Sequence, residues 1–203
     1  GGRIGVLVAG NGASDDAAKE ALTNIAMQIA AMNPQYISRD EISADELAKM
    51  KEITIDSALN DPFSLPKPVL SKLIEKAVAG VWSAEDVAIY EEKKSNMNFL
   101  PNFLSKEAKA QLAEIACADK EEISGNKIFS GLVEGRISKQ MKEICLLDQV
   151  YVKAEDGKQT VAAYLKSVNP ALKIAKFVRF EVGEGMEKKN EDFAAEVAKQ
   201  MNV

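Results

Sequence analysis

The residues closest to a chemical motif stand near the start of the chain. Arg3-Ile4-Gly5-Val6-Leu7-Val8 reads as a strand, Gly10-Asn11-Gly12 ends it, and a helical pattern follows. A glycine turn between strand and helix is where backbone N–H groups can hold a phosphate. Here the third glycine of a G-x-G-x-x-G run would fall at position 15, which is Asp15, and Asp16 adds a second negative charge. A P-loop lysine is also missing. The turn reads as a plain connection. Other chemistry is as sparse. The 203 residues include no histidine, which removes the commonest general base and metal ligand. Acidic pairs such as Asp15-Asp16, Glu91-Glu92 and Glu121-Glu122 have no metal-loop spacing and read as solvated faces or helix first turns. No G-x-S-x-G nucleophile motif occurs. Cys117 and Cys145 lack C-x-x-C or metal-ligand spacing and read as buried free thiols. These features predict no catalytic residue, no metal and no cofactor.

The elements that would position any site come from periodicity. Ser14 is the expected N-cap of a helix to about Met32, with Leu22, Ile25, Ile29 and Met32 on one stripe. Asn33-Pro34 stops it. Tyr36-Ile37 reads as a short extended piece. Ser43-Ala44-Asp45-Glu46 is a capping box, and Leu47, Met50 and Ile53 form the expected apolar stripe behind it. Three further helices follow: one from Pro66 and Pro68, one capped by Ser83 and one by Ser105. Trp82 and Phe99 are expected in their core. A long helix should run from about Lys127 to Ile144. Val178, Phe180 and Val182 alternate with Arg179 and Glu181, which predicts a strand with its apolar side buried and its charged side wet. Asp192 to Met201 reads as a terminal helix.

Net charge is −5, which argues against a general nucleic-acid binder. No apolar run approaches the ~20 residues of a membrane span, and no signal-like segment opens the chain. The cytoplasm is the expected location, with no direct nucleic acid and no membrane as partners. The absence of an initiator Met at Gly1-Gly2-Arg3 reads as the mark of a fragment.

Two patterns bear on contacts. Gly131 and Gly135 lie one turn apart on the long helix, although each glycine lowers helix propensity by roughly 1 kcal/mol. They would let another helix pack close, either within a hairpin of this chain or in a dimer or partner contact. Phe193, Val197 and Met201 form a stripe that could dock on the chain's own core or in a partner's groove.

Five segments then carry a resemblance. Arg3-Ile4-Gly5-Val6-Leu7-Val8, Ile25-Ala26-Met27-Gln28-Ile29-Ala30, Val133-Glu134-Gly135-Arg136, Phe180-Glu181-Val182-Gly183-Glu184-Gly185 and Asp192-Phe193-Ala194-Ala195-Glu196-Val197 occur in this order. Together they resemble bacterial elongation factor Ts, over Gly1 to about Leu59 and Lys127 to Val203. The resemblance implies an α+β fold: a small antiparallel sheet covered by helices, with an inserted helical hairpin and an extra helical lobe. It implies a core C-terminal subdomain at 1–46 and 148–185 and a helical dimerisation subdomain at 47–147, expanded at about 60–126. A C-terminal helical module would occupy 186–203. The implied activity is that of a nucleotide-exchange factor for a translation GTPase, not an enzyme, with elongation factor Tu as partner. Partner-binding residues carried over are Met27, Asp192, Phe193, Val197 and Met201. Gln28 stands where many members have His, which puts any imidazole-dependent contact in doubt. The family's Thr-Asp-Phe-Val wedge has no counterpart here. The alternative reading is a helical self-association module, a homodimer through the helical subdomain, with no exchange activity.

Overall fold

The computed structural model describes residues 2–184. The expected terminal helix, with Asp192, Phe193, Val197 and Met201, lies outside the described residues. The chain divides into two compact units, residues 1–33 with 163–203, and residues 34–162. These junctions lie away from the expected boundaries at 46/47 and 147/148. The reason is local. Tyr36 is bridged to Cys145, and the Leu146 and Leu147 N–H groups donate to the Tyr36 and Ile37 carbonyls at 2.8 and 3.0 Å, which fixes both stretches to the helical unit.

The first unit is built on strands from the two ends of the chain. β1 (Ile4–Asn11) and β2 (Lys173–Glu181) pair antiparallel, from Ile4 opposite Glu181 to Asn11 opposite Lys173, with a register shift after Ala9. α1 (Asp16–Met32) follows β1 and packs on it. Its N-cap is Asp15, one residue beyond the expected Ser14, and the Asp15 carboxylate accepts the Ala18 N–H at 2.9 Å. Asn33 ends the helix in the left-handed conformation at φ 46°, before Pro34. Ala18, Ala21, Ile25 and Ile29 are buried, whereas Met32 is exposed. Gly12, at φ +86°, makes the exit from β1. A Cβ there would stand 1.8 Å from the Ala171 carbonyl oxygen, so only glycine fits.

The expected polarity of the sheet holds only in part: Val178 is half-buried and Glu181 exposed, but the other expected positions exchange places. Phe180 and Val182 are 57% and 76% exposed, and Leu7, in the same row as Val178 and Phe180, is 66% exposed. The opposite row, Val6, Val8, Phe177 and Arg179, is half-buried. The Arg179 side chain is mostly covered and pairs with Glu181 at 3.0 Å. β1 carries apolar residues on both faces, so alternation along β2 alone could not decide which face α1 covers. The long arginine stem can lie along an apolar surface while its head finds a carboxylate.

The second unit is helical, with α2 (Ala44–Asn60), α3 (Lys67–Val78), α4 (Ala84–Lys93), α5 (Lys106–Ala118), α6 (Lys120–Ser124) and α7 (Lys127–Ile144). α8 (Val161–Val168) crosses the junction between the units. Ser43, Ser83 and Ser105 cap α2, α4 and α5 as expected, each accepting the N–H three residues on. Each such cap is worth about 1 kcal/mol. The core joins Leu59, Leu73, Ile74, Leu100, Leu112, Phe129 and Val133, and includes Trp82 as expected, its indole N–H donating to the Ala108 carbonyl at 2.9 Å. On α2 the buried residues are Thr54, Ile55, Ala58 and Leu59, while Leu47 and Ile53 are exposed. The apolar stripe expected there is therefore displaced, because α5 and α7 pack against α2 and the residues they bury lie in its second half. Phe99, expected in the core, is 58% exposed, because its neighbour Leu100 takes the buried position. Cys145 is buried as expected, but Cys117 is exposed.

Candidate functional site

The first unit presents surface on α1. Met27 is 43% exposed beside Gln28, which is fully buried. On a helix, adjacent residues point about 100° apart, so the burial of Ile25, Gln28 and Ile29 turns Met27 outward. Asn24 donates its side-chain amide to the Tyr164 hydroxyl at 2.9 Å, which ties α1 to α8. A thioether so placed is a flexible apolar contact that adapts to a partner's surface. Gln28 is wholly interior here and offers no surface donor. The open row of the sheet, Leu7, Phe180 and Val182, is a second apolar surface of this unit, and no signal in the alternation of β2 identified it as exposed.

In the second unit, Gly131 and Gly135 lie on the exposed side of α7, and a Cβ at either would meet nothing within 4 Å. Close packing of another helix of this chain against the glycines, one of the two readings of this pair, therefore does not occur among the described residues. The cause is the set of α7 residues that face inward, Phe129, Val133, Ile137 and Met141, which are offset from the glycine row. Beside it, a groove of about 320 Å³ between α2 and α7 has Leu47, Ile137 and Met141 as its apolar lining and Lys51 and Glu134 among its charged residues.

Several titratable groups in this unit hold its structure together. Asp86 is buried; it accepts the Ser105 N–H at 3.0 Å, the Ser105 hydroxyl at 2.8 Å and the Ser83 hydroxyl at 2.9 Å. The Ser105 backbone bond and the two hydroxyl bonds hold its carboxyl below the usual range, against the opposing effect of burial. It thereby ties the N-termini of α4 and α5 together. Tyr36 donates to Glu46 at 2.8 Å, and this hydrogen bond raises its phenol above the ordinary value. Burial raises the Cys145 thiol. Lys120 bridges Glu52 and Asp56, and these bonds raise its ammonium. No group of potential metal ligands is gathered among the described residues. None of their helices is long and apolar enough to cross a membrane.

Fold and surface together define an α+β protein in which two strands far apart in the sequence form one small sheet and the residues between them a helical unit, with apolar side chains left exposed. The chain belongs to the elongation factor Ts family: the family model described as elongation factor TS matches residues 1–93 and 94–184. It is 35% identical over 204 residues to an elongation factor Ts of Clostridioides difficile, covering 99% of this chain and 47% of that protein. It is 36% identical over 208 residues to an elongation factor Ts of Alkaliphilus metalliredigens, covering 99% of this chain and 68% of that protein. For an elongation factor Ts of Finegoldia magna the figures are 35% over 210 residues, with 99% and 69% covered. The chain thus spans between about half and about two thirds of the length of these relatives.

Proposed function

We propose that this chain binds elongation factor Tu and contributes to its exchange of GDP for GTP, using α1 and the segment beyond β2 as docking surfaces. The observation that carries the reading is the sheet. The two end segments that match the family pair directly as neighbours, Val6 opposite Arg179 and Leu7 opposite Val178. Met27 lies on the helix that this sheet supports and is free to touch a partner. Asp192, Phe193, Val197 and Met201 supply the second contact in this reading.

An exchange factor needs no catalytic group of its own. It binds the nucleotide-free GTPase better than the nucleotide-bound form, and by linkage it weakens nucleotide binding by the same factor. The resemblance assigns distortion of the magnesium site to a Thr-Asp-Phe-Val wedge, and no Thr-Asp-Phe run occurs in the 203 residues. In this reading the chain supplies docking affinity and accelerates GDP release less than a wedge-bearing relative does. Stopped-flow release of a fluorescent GDP analogue from elongation factor Tu tests this; acceleration as large as that given by a wedge-bearing relative refutes the division of labour.

A second reading, self-association through the helical unit, is favoured by the exposed Gly131 and Gly135 and by the neighbouring α2–α7 groove. Sedimentation velocity with and without elongation factor Tu separates the two. A self-complex with no mixed complex supports self-association alone.

A further inference from the structure

From Lys93 to Lys106 the chain carries three lysines, three asparagines and no carboxylate, in a protein whose net charge is −5. The structure presents this stretch as a surface. Leu100 and Leu104 sink into the helical core, whereas Phe99 and Phe103 are 58% and 52% exposed, a reversal of what ring size and hydrophobicity favour. The Lys93 ammonium stands 5.1 Å from the centroid of the Phe103 ring. Lys93 and Lys94 are positioned by Glu92 and Glu91, each at 2.6 Å. The loop is anchored at its far end by the bonds from Ser105 to Asp86, so its aromatic residues are held on a fixed base. Beside it, residues Ser95 to Asn98 face the first turns of α3 across a groove of about 180 Å³. Its floor is Leu70 and Met97 and its rim includes Lys67, Ser71, Asn96 and Asn98, with no carboxylate in the lining.

We propose that this surface binds single-stranded nucleic acid: Phe99 and Phe103 are stacking platforms, Lys67, Lys94 and Lys106 meet phosphates, and Asn96 and Asn98 reach base edges in the groove. Aromatic faces interleaved with cations suit a chain of bases on a polyanion, because every base has a π-face. Side-chain amides offer a donor and an acceptor together, the combination displayed by base edges. A phosphate on Lys94 must displace its pair with Glu91 at 2.6 Å, which costs little because both side chains are exposed, and carboxylates beyond about 8 Å are largely screened at physiological salt.

The test is fluorescence anisotropy of a fluorescein-labelled uridine dodecamer titrated with the whole chain at two salt concentrations. The expected result is saturable binding that weakens with salt. Phe99→Ala and Phe103→Ala should each reduce affinity about five-fold or more. Lys67→Gln should reduce the magnitude of the salt slope by about 0.7. Circular dichroism melts should stay unchanged, because these side chains lie on the surface. Absence of saturation at roughly 100 µM protein, the weak end of non-specific binding, overturns the proposal. So does binding that the three variants leave unaltered. Tighter binding of an acidic Glu-Leu dodecapeptide, lost in the same variants, assigns the surface to a protein partner and also overturns it.

Discussion

Gly12→Ala should strongly destabilise the sheet unit and leave the stability of the helical unit unchanged. Position 12 lies at φ +86°, a conformation that costs an L-residue about 1–3 kcal/mol. The new Cβ would also lie 1.8 Å from the Ala171 carbonyl oxygen and 2.8 Å from its carbon. Both are backbone atoms, so relief requires the segment before β2 to retreat by at least about 1 Å, beyond what bond-angle flexing absorbs. That movement strains the bond from the Leu172 N–H to the Asn169 carbonyl, now 3.0 Å, which is worth about 1 kcal/mol. The total is roughly 2–4 kcal/mol, a large share of the 5–15 kcal/mol typical of a folded domain. At about 4–8 °C per kcal/mol for a unit of this size, the sheet unit should melt roughly 8–32 °C lower. Hydrogen exchange read by mass spectrometry reports Ile4–Asn11 and Lys173–Glu181 directly. The single tryptophan, Trp82, reports the helical unit. Exchange protection should collapse in the two strands with the Trp82 transition almost unmoved. Retained protection in both strands refutes the reasoning. The same substitution at Gly131, where the added Cβ meets open space, should stabilise α7 by about 0.5–1 kcal/mol.

Asp86→Ala leaves two hydroxyls and the Ser105 N–H without their acceptor and should cost about 2–4 kcal/mol, read from urea titration of Trp82 fluorescence. Because the folded-state pKa of Asp86 is depressed, its stabilisation is complete above the unfolded carboxylate value of about 3.9 and is lost as pH falls through the folded value. The variant should therefore lack the part of acid destabilisation that the wild type shows below about pH 4, and an acid limb identical in both would count against this assignment. Met27→Ala should leave stability within about 0.5 kcal/mol, since the side chain is exposed, and should weaken binding of elongation factor Tu by about 1–2 kcal/mol, measured by calorimetry. Phe129→Ala, at the centre of the helical core, should cost about 3–5 kcal/mol in the same urea assay.

Much of this architecture was legible where one local signal dominates. Ser43, Ser83 and Ser105 marked helix starts because a side-chain oxygen at an N-cap satisfies an otherwise orphaned N–H whatever the tertiary context. The pairing of β1 with β2 came through the matching of distant segments, which propensity alone does not provide. Faces were harder. Leu47 and Ile53 satisfied helical periodicity on α2 and still lie outside, because burial depends on where α5 and α7 pack. Phe180 and Val182 alternated as a buried row should, yet α1 packs on a strand whose two rows are both apolar. Gly131 and Gly135 suggested close helix packing, and among the described residues nothing lies within 4 Å of a Cβ at either position. Asp86 carried no visible signal, since its role arises only when the caps of two helices meet.

The most direct test of partner docking is calorimetric titration of elongation factor Tu, stripped of nucleotide and then loaded with GDP, with the whole chain. Preference for the stripped form by about ten-fold or more, equivalent to 1.4 kcal/mol of coupling, is the result this account requires. Equal affinity for the two forms, or no heat of binding to either, would contradict it.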